Sequence, residues 1–181
     1  MEFIIDKTIY VGRPKHKREY KEELVYDVLD KLDIKYNRID HSPADNIGLC
    51  HKIEEYANAQ ICKNIFLTNN KKDYFCLLLT VGDKKYEAGK VSRQLGTSRL
   101  SFAGEDLLMN YLSLTSGSVS ITGLLSDVNN KVKLAVDSDL IKNELFCFHP
   151  NINTSTIIAS TSDIFNKFIP YTNHEIKIVD I

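Results

Sequence analysis

The chain has 181 residues, and its 23 Lys and Arg against 24 Asp and Glu give a formal net charge of -1. A chain of this length forms one domain and buries about 70% of its unfolded surface, so it folds without a disulfide or a metal. The content of 43% hydrophobic residues excludes a mainly disordered protein. The near-neutral charge excludes binding of nucleic acid by bulk positive charge, although a few local Lys or Arg side chains can still bind a nucleic-acid substrate.

The first 20 residues contain no basic region followed by a long apolar run, so no secretory signal is expected. The longest apolar stretch, at 75–79, is too short to span a bilayer. Four irregularly spaced cysteines predict no disulfide framework, which favours a cytoplasmic protein without membrane contact. A zinc site built from Cys50, His51, Cys62 and Cys76 is disfavoured because no Cys-x2-Cys pair supports it, and Cys62 and Cys76 are expected to be buried thiols.

Residues 1–18 are predicted to form an N-terminal extension, and residues 19–181 a single domain. Apolar residues at helical spacing predict an amphipathic helix over 19–32. The next predicted elements are a strand at 35–40, a weaker helix at 46–58, two strands at 63–67 and 74–79 joined by a hairpin turn, a helix at 90–95, a strand at 99–103 and a helix from 104 to about 112. The nearly continuous apolar runs of the paired strands suggest burial on both faces.

The second half of the chain begins with a hydroxyl-rich segment at 115–123. It continues with predicted strands at 132–136, 144–148, 155–159 and 175–179. Before the last strand, Ser162 and Asp163 are expected to cap a helix that ends near Ile169, with Pro170 preventing its extension. Strands in the centre, with helices between them and at both ends, predict a mixed α/β or α+β fold.

None of the common catalytic motifs occurs in the sequence, so its residues alone name no reaction. Lys63 opens an apolar strand directly before Asn64, where it could bind a phosphate or carboxylate as a point charge, or be an ordinary solvated lysine. The loop from Gly117 to Gly123 could present backbone N–H groups to an oxyanion, or simply link two elements.

His149, between Phe148 and Pro150, could border a pocket, act as an acid or base, or be structural. On one strand it would share a face with Cys147, which raises the hypothesis of a thiol–imidazole pair. No third orienting group supports that pair. The polar run at 153–156 directly follows, and turn capping is its simplest explanation.

Taken together, several segments resemble the trans-editing domain family related to YbaK and to the insertion domain of bacterial prolyl-tRNA synthetase, especially its free-standing prolyl-tRNA deacylases. These segments are CKNIFL (62–67), DYF (73–75), RLSFA (99–103), LSLTSGSVS (112–120), FHP (148–150), NT (153–154) and the stretch 174–180. The resemblance implies a curled, barrel-like mixed sheet surrounded by helices. It also implies hydrolysis of the aminoacyl ester of a mischarged tRNA(Pro), foremost Ala-tRNA(Pro), without a metal or organic cofactor.

The resemblance also implies a role for each site residue. Lys63 would bind the phosphate or ribose of the tRNA acceptor end, and Asn64 would orient the aminoacyl group or the water. The backbone of Gly117, Ser118 and Val119 would stabilise the oxyanion, and the ribose 2′-hydroxyl could position the water. The pocket around the amino acid would include His149, Phe148, Ile121, Asn153 and Thr154. Prolyl-tRNA synthetase is a candidate partner, and Lys15, Lys17, Arg18, Lys71 and Lys72 are candidate tRNA contacts.

Two positions depart from the family pattern. Ile121 stands where the family usually has a proline four residues after the first glycine of the loop, and Ser116 where a proline often precedes that glycine. Such a loop would be less rigid, which puts the rate and the amino-acid preference in question rather than the fold. The alternatives are a binding module without turnover, a deacylase for Cys-tRNA(Pro), and covalent catalysis by Cys147.

Overall fold

The structure is a computed structural model that describes residues 3–44, 47–82 and 84–181. Six helical segments of α type are α1 (Tyr20–Lys31), α2 (Ile47–Ala57), α3 (Ala88–Leu95), α4 (Glu105–Leu112), α5 (Thr161–Asp163) and α6 (Ile169–Tyr171). The strands are β1 (Tyr10–Val11), β2 (Tyr36–Asp40), β3 (Gln60–Asn69), β4 (Phe75–Val81), β5 (Leu100–Phe102), β6 (Val132–Asp137), β7 (Leu145–Phe148), β8 (Ser155–Ser160) and β9 (Ile176–Val179). Short 3-10 helices lie at Ile121–Ser126 and Leu140–Lys142.

The nine strands form one mixed sheet in the order β1-β2-β8-β7-β3-β4-β6-β9, with β5 paired to β3. The pairs β3–β7, β4–β6 and β6–β9 are parallel, and the other pairs are antiparallel. Strand β3 changes its partners along its length, because it pairs with β7 at Gln60 and Ile61 and with β5 only from Leu67 onward. This mixed sheet with its helices confirms the predicted fold class.

The sheet encloses one main core and is covered on its outer face. In β4, Leu77 and Leu79 point into the main core beside α1 and α4, whereas Cys76 and Leu78 belong to an outer cluster beneath α3. A third cluster lies under α2 and includes Cys147 of β7. The expected burial of β4 on both faces is confirmed. The thiols of Cys62 and Cys76 are buried, as predicted.

The C-terminal helix differs from its prediction at both ends. It begins two residues earlier because Ser160 is the N-cap, its Oγ accepting from the N–H of Asp163. A π-helical turn at Ile164–Phe168 joins α5 to α6, and Pro170 lies inside the last turn instead of stopping the helix. Because proline lacks an N–H, Pro170 gives up one backbone hydrogen bond to the preceding turn, yet the helix continues through it to Tyr171. Asn46, the predicted start of the second helix, lies outside the described residues.

Within residues 3–18, the part from Ile4 to Gly12 lies along the edge of the sheet, and Arg13 forms ion pairs with α1. Strand β1 pairs with β2, and Ile5 forms a bridge with His41. The N–H of Ser42 donates to the carbonyl of Ile4 at 2.8 Å. This segment therefore supports the loop that follows β2, although its local sequence predicts only an extension.

Candidate active site

A cavity of about 260 Å³ opens where β3 leaves its pairing with β7. Its lining residues are Ala44, Cys50, Ile61, Cys62, Lys63, Asn64, Gly117, Val119, Cys147, Phe148, His149 and Thr156. The cavity thus joins four parts of the chain that are far apart in sequence: β3, the loop after α4, the β7–β8 connection and the region around α2.

Lys63 and Asn64 enter the cavity from β3, whose backbone is fixed by antiparallel pairing to Thr80 and Leu79. The Lys63 ammonium donates to the carbonyl of Lys84 at 3.2 Å. Within the described part of the chain, no carboxylate lies within ion-pair distance of Lys63. The Lys63 ammonium is therefore available to bind an anionic ligand. The neighbouring Asn64 amide donates to the carbonyl of Cys62 at 2.9 Å.

The loop after α4 approaches from the other side. Gly117 has φ 86°, a left-handed conformation that glycine adopts without a steric penalty. The Ser118 N–H donates to the carbonyl of Thr115 at 3.1 Å, and its Oγ donates to the same carbonyl at 2.9 Å. The N–H of Ser118 is therefore committed to the turn, whereas the structure gives no backbone acceptor for Gly117 or Val119 among its described residues.

Two contacts tie this loop to the rest of the cavity. The hydroxyl of Thr122 lies 2.9 Å from the carbonyl of His149 and 2.7 Å from Oδ1 of Asn151. Gly123 lets the following turn approach the end of α4, because a Cβ there would lie 3.2 Å from Cβ of Leu112 and 2.6 Å from Cδ1 of Leu114. The position of the loop therefore depends on the β7–β8 connection that holds His149.

His149 is held as a neutral imidazole. Its Nδ1 lies 2.9 Å from the carbonyl of Ser155, which can only accept, so Nδ1 holds the proton and Nε2 is an acceptor. Burial, with a smaller contribution from the neighbouring His41, lowers the pKa of His149 to about 4. The ring therefore stays uncharged near neutral pH.

The family model for the aminoacyl-tRNA editing domain matches residues 41–166. The prolyl-tRNA editing protein ProX of Acetoanaerobium sticklandii is 32% identical over 160 residues, covering 88% of this chain and 97% of that protein. The chain belongs to the aminoacyl-tRNA editing domain family. Membership makes it an aminoacyl-tRNA deacylase and confirms the resemblance found in the sequence.

Two further relatives agree with this assignment. The prolyl-tRNA synthetase associated domain-containing protein 1 of Danio rerio is 26% identical over 151 residues, covering 82% of this chain and 80% of that protein. A crystal structure described as a proposed trans-editing enzyme for prolyl tRNA synthetase superposes with a TM-score of 0.67 at 15% identity, covering 91% of this chain and 99% of that one. The structural likeness supports the editing-domain fold.

Three thiols line the cavity. Burial raises the pKa of Cys50, Cys62 and Cys147 above the usual value, so all three stay protonated near neutral pH. Sγ of Cys147 lies 3.5 Å from the carbonyl of Ala59, whereas Nδ1 of His149 faces Ser155. The two side chains of the hypothetical thiol–imidazole pair are thus bonded to different partners.

Several predicted site residues lie outside the cavity lining. Ser118 faces Thr115, and Ile121 is fully buried in the main core at the start of a 3-10 helix. The carbonyls of Asn153 and Thr154 accept from the N–H groups of Ala44 and His41, respectively, both at 3.0 Å. They fix the loop that forms one rim of the cavity.

The position that departs from the family proline has its own local support. Ser120 is the N-cap before Ile121, and its Oγ accepts from the N–H of Thr122 at 3.4 Å. A side-chain cap of this kind restrains the first turn of a helix. The loop therefore has a polar restraint at the place where the family has a proline ring.

The sequence did not identify Ala44, Cys50, Ile61, Cys62 and Thr156 as lining residues. Thr156 had a weak signal, since Ser155 and Thr156 are polar residues at the start of an otherwise apolar strand. The others had none, because they reach the cavity only through the packing of α2 and β3.

The described ranges of the chain contain no group of three or more His, Cys, Asp or Glu side chains arranged to hold a metal ion. They also contain no helix that is long and apolar enough to cross a membrane.

The candidate tRNA contacts lie in two places. Arg18 is paired with Asp40, and Lys15 and Lys17 are exposed beside α1. Lys71 and Lys72 are exposed in the β3–β4 turn, roughly 25 Å along the strand from Lys63. Their contact with tRNA stays a prediction.

Proposed function

We propose that this editing domain hydrolyses the ester bond between alanine and tRNA(Pro). The relatives with prolyl-tRNA in their names support the choice of tRNA. The cavity supports a small uncharged amino acid, because its volume of about 260 Å³ lies below the ~300–1,000 Å³ of ordinary ligand sites. Its walls are mostly apolar or thiol side chains, which favour an aliphatic side chain over a charged one.

The observation that supports the mechanism most is that the described residues lining the cavity include no strong base. Of the described residues that line the cavity, none is Asp or Glu. The thiols are protonated, and His149 with a pKa of about 4 is a weak base. We infer that the ribose 2′-hydroxyl of the tRNA positions the attacking water, so that the substrate supplies part of its own catalysis.

The protein then stabilises charge that develops on the substrate. The N–H groups of Gly117 and Val119 are the proposed donors to the oxyanion that forms when water attacks the ester carbonyl. Ser118 contributes by holding the turn, since its own N–H is bonded to Thr115. Lys63 binds the terminal phosphate or ribose, and Asn64 orients the aminoacyl group.

Phe148 and His149 border the amino-acid end of the cavity in this proposal. Ile121 supports the loop from the core behind it, and Asn153 and Thr154 fix the opposite rim. The protein would work in the cytoplasm on tRNA released by prolyl-tRNA synthetase, which is its proposed partner. The weak overall charge fits a brief encounter with one end of the tRNA.

Deacylation of purified aminoacyl-tRNA tests this proposal. Ala-tRNA(Pro), Cys-tRNA(Pro), Pro-tRNA(Pro) and Ala-tRNA(Ala) are incubated with the protein, and the Lys63→Met variant purified in the same way controls for contaminating hydrolases. We expect rapid loss of alanine from tRNA(Pro) alone. Faster release of cysteine would reassign the substrate, because a size difference of one small group is worth only about 1–3 kcal/mol. No hydrolysis by folded protein would favour a binding module.

A further inference from the structure

Behind the cavity wall lies a hydrogen-bonded pair that the proposed mechanism does not use. Nε2 of His41 is 2.9 Å from Oγ1 of Thr156, and Nδ1 of His41 is 2.8 Å from the carbonyl of Ser42. Thr156 lines the cavity, whereas His41 does not. Both residues are at least nine-tenths buried, so the pair is shielded from bulk water.

The partners of His41 determine where its proton lies. A carbonyl oxygen only accepts, so Nδ1 holds the proton that faces Ser42. Burial lowers the pKa of His41, which keeps the ring neutral near neutral pH. Nε2 is therefore an acceptor, and the Thr156 hydroxyl must donate to it. With its hydrogen directed at His41, Oγ1 of Thr156 has only lone pairs left for a ligand.

In His149, as in His41, Nδ1 is the donor and Nε2 is the acceptor. Its Nδ1 donates to the carbonyl of Ser155, which leaves Nε2 as an acceptor. The rings of His41 and His149 are 6.0 Å apart, and the residues that hold both of them, Ser155 and Thr156, are neighbours on β8. One wall of the cavity thus presents neutral acceptors, although the lining residues that the structure describes include no carboxylate.

We propose that Oγ1 of Thr156 binds the α-ammonium group of the aminoacyl ester, and that His41 is the positioning residue that keeps this oxygen an acceptor. The inference rests on the proposed function, because it assigns a site to one part of that substrate. An ammonium group has three donors and no acceptor, so it matches an oxygen that can only accept. Neutral acceptors can bind it by hydrogen bonds alone, whereas a carboxylate would also attract metal ions or unrelated amines.

The loop that holds His41 is fixed independently of the ligand. The N–H of His41 donates to the carbonyl of Thr154 at 3.0 Å, and Ser42, whose carbonyl orients the ring, donates its own N–H to Ile4. The ring is thus oriented before substrate binds, which lowers the entropic cost of recognition.

Two non-hydrolysable ligands isolate this contact. In both, the terminal adenosine of tRNA(Pro) has an amide link at its 3′ position, to alanine in one and to lactate in the other. They differ only in an ammonium or a hydroxyl at the α-carbon. Their dissociation constants are measured near neutral pH for the wild type and for Thr156→Val, Thr156→Ser, His41→Phe and Thr161→Val. Thr161 is the matched control, since it is buried with an unpartnered hydroxyl and lies outside the cavity.

We expect the wild type to prefer the alanyl ligand about 10-fold or more, as for a hydrogen bond to a charged group. Thr156→Val should bring the ratio near one, Thr156→Ser should retain it, and His41→Phe should reduce it. Thr161→Val should leave it unchanged. If His41 were merely structural, His41→Phe would weaken the binding of both ligands equally. An unchanged ratio of the two dissociation constants in His41→Phe would therefore overturn the positioning role.

The wild-type ratio keeps the inference testable even if Thr156→Val does not fold. Equal binding of the two ligands, or no binding of either, would overturn it. Deacylation of Ala-tRNA(Pro), measured in parallel, separates the two claims. Hydrolysis with an unchanged ratio in Thr156→Val would refute the ammonium site alone. The expected ratios without hydrolysis would refute the deacylase proposal and support the site.

Discussion

The two sides of the cavity are built in different ways. The sheet side presents side chains, such as Lys63 and Thr156, from strands whose backbones are fixed by ladders of hydrogen bonds. The loop side presents the backbone of Gly117 and Val119, which a few side-chain contacts hold in place. A substitution on the sheet side therefore removes one group and leaves its neighbours in position. A substitution on the loop side moves the backbone groups that are themselves the proposed donors.

The largest effect is expected on the loop side, from Gly117→Ala. A Cβ at φ 86° costs about 1–2 kcal/mol and displaces the turn. Loss of a correctly placed oxyanion donor lowers kcat by roughly 10²- to 10³-fold. Single-turnover deacylation of Ala-tRNA(Pro) measures this loss.

Gly96→Ala is the control for that experiment. Gly96 has φ 67° at the C-cap of α3, with open space around its Cα. It should therefore lose similar stability and keep the activity of each folded molecule. If Gly117→Ala deacylated as fast as Gly96→Ala, the loop would not supply the oxyanion donors.

His149 lies in the β7–β8 connection, which links the two sides of the cavity. Because of this residue, the free energy of unfolding should decrease at acidic pH. Its pKa falls from 6.5 in the unfolded chain to about 4 in the fold, so the unfolded state binds more protons between these values. The stability from the neutral ring is therefore present above pH 6.5 and is lost as the pH falls toward 4. The loss approaches about 3 kcal/mol.

Urea unfolding of the wild type and of His149→Gln across this pH range measures that contribution. The difference in unfolding free energy between them should shrink on acidification, because glutamine does not titrate. A constant difference would show that His149 does not titrate with the shifted pKa.

A smaller loss of activity is expected on the sheet side, from Lys63→Met. The substitution removes the ammonium and preserves most of the side-chain volume beside β4. Loss of a hydrogen bond to a charged group costs about 1.5–3 kcal/mol, which corresponds to roughly 10- to 150-fold in kcat/KM. Lys133→Met is the matched control, since Lys133 is an exposed lysine on β6 outside the cavity. Equal rates for the two variants would remove Lys63 from the site.

The same division explains what the sequence could predict. Helical and strand periodicity located α1, β4 and the other elements with a regular apolar pattern, since burial repeats with the period of the backbone. Strand β1 has only two residues and no such pattern, and it exists because β2 offers a free edge. The predicted end of the last helix was wrong, because the helix contains a π-helical turn, which has no sequence signature, and continues through Pro170.

At the site, a contiguous motif identified Lys63 and Asn64, and another identified Gly117 and Val119. Thr156 and Cys50 were missed because their roles depend on which strands and helices meet. The contributions of Asn153 and Thr154 arise through carbonyl groups that every residue type has, so their residue types do not predict these contacts.

The smallest effect is expected at Cys147, which is on the sheet side but whose thiol is not part of the proposed chemistry. Burial raises its pKa, and its Sγ contacts the carbonyl of Ala59, so it is a poor nucleophile near neutral pH. Cys147→Ser has a similar shape and its hydroxyl can donate to the same carbonyl, so we expect kcat/KM within about 3-fold of wild type. Covalent catalysis by the thiol would instead lose several orders of magnitude and would leave an alanyl-thioester that mass spectrometry detects after rapid quenching. Full activity without that adduct would show that the thiol is not the nucleophile, and would leave the water, the ribose hydroxyl and the loop backbone as the reacting and stabilising groups.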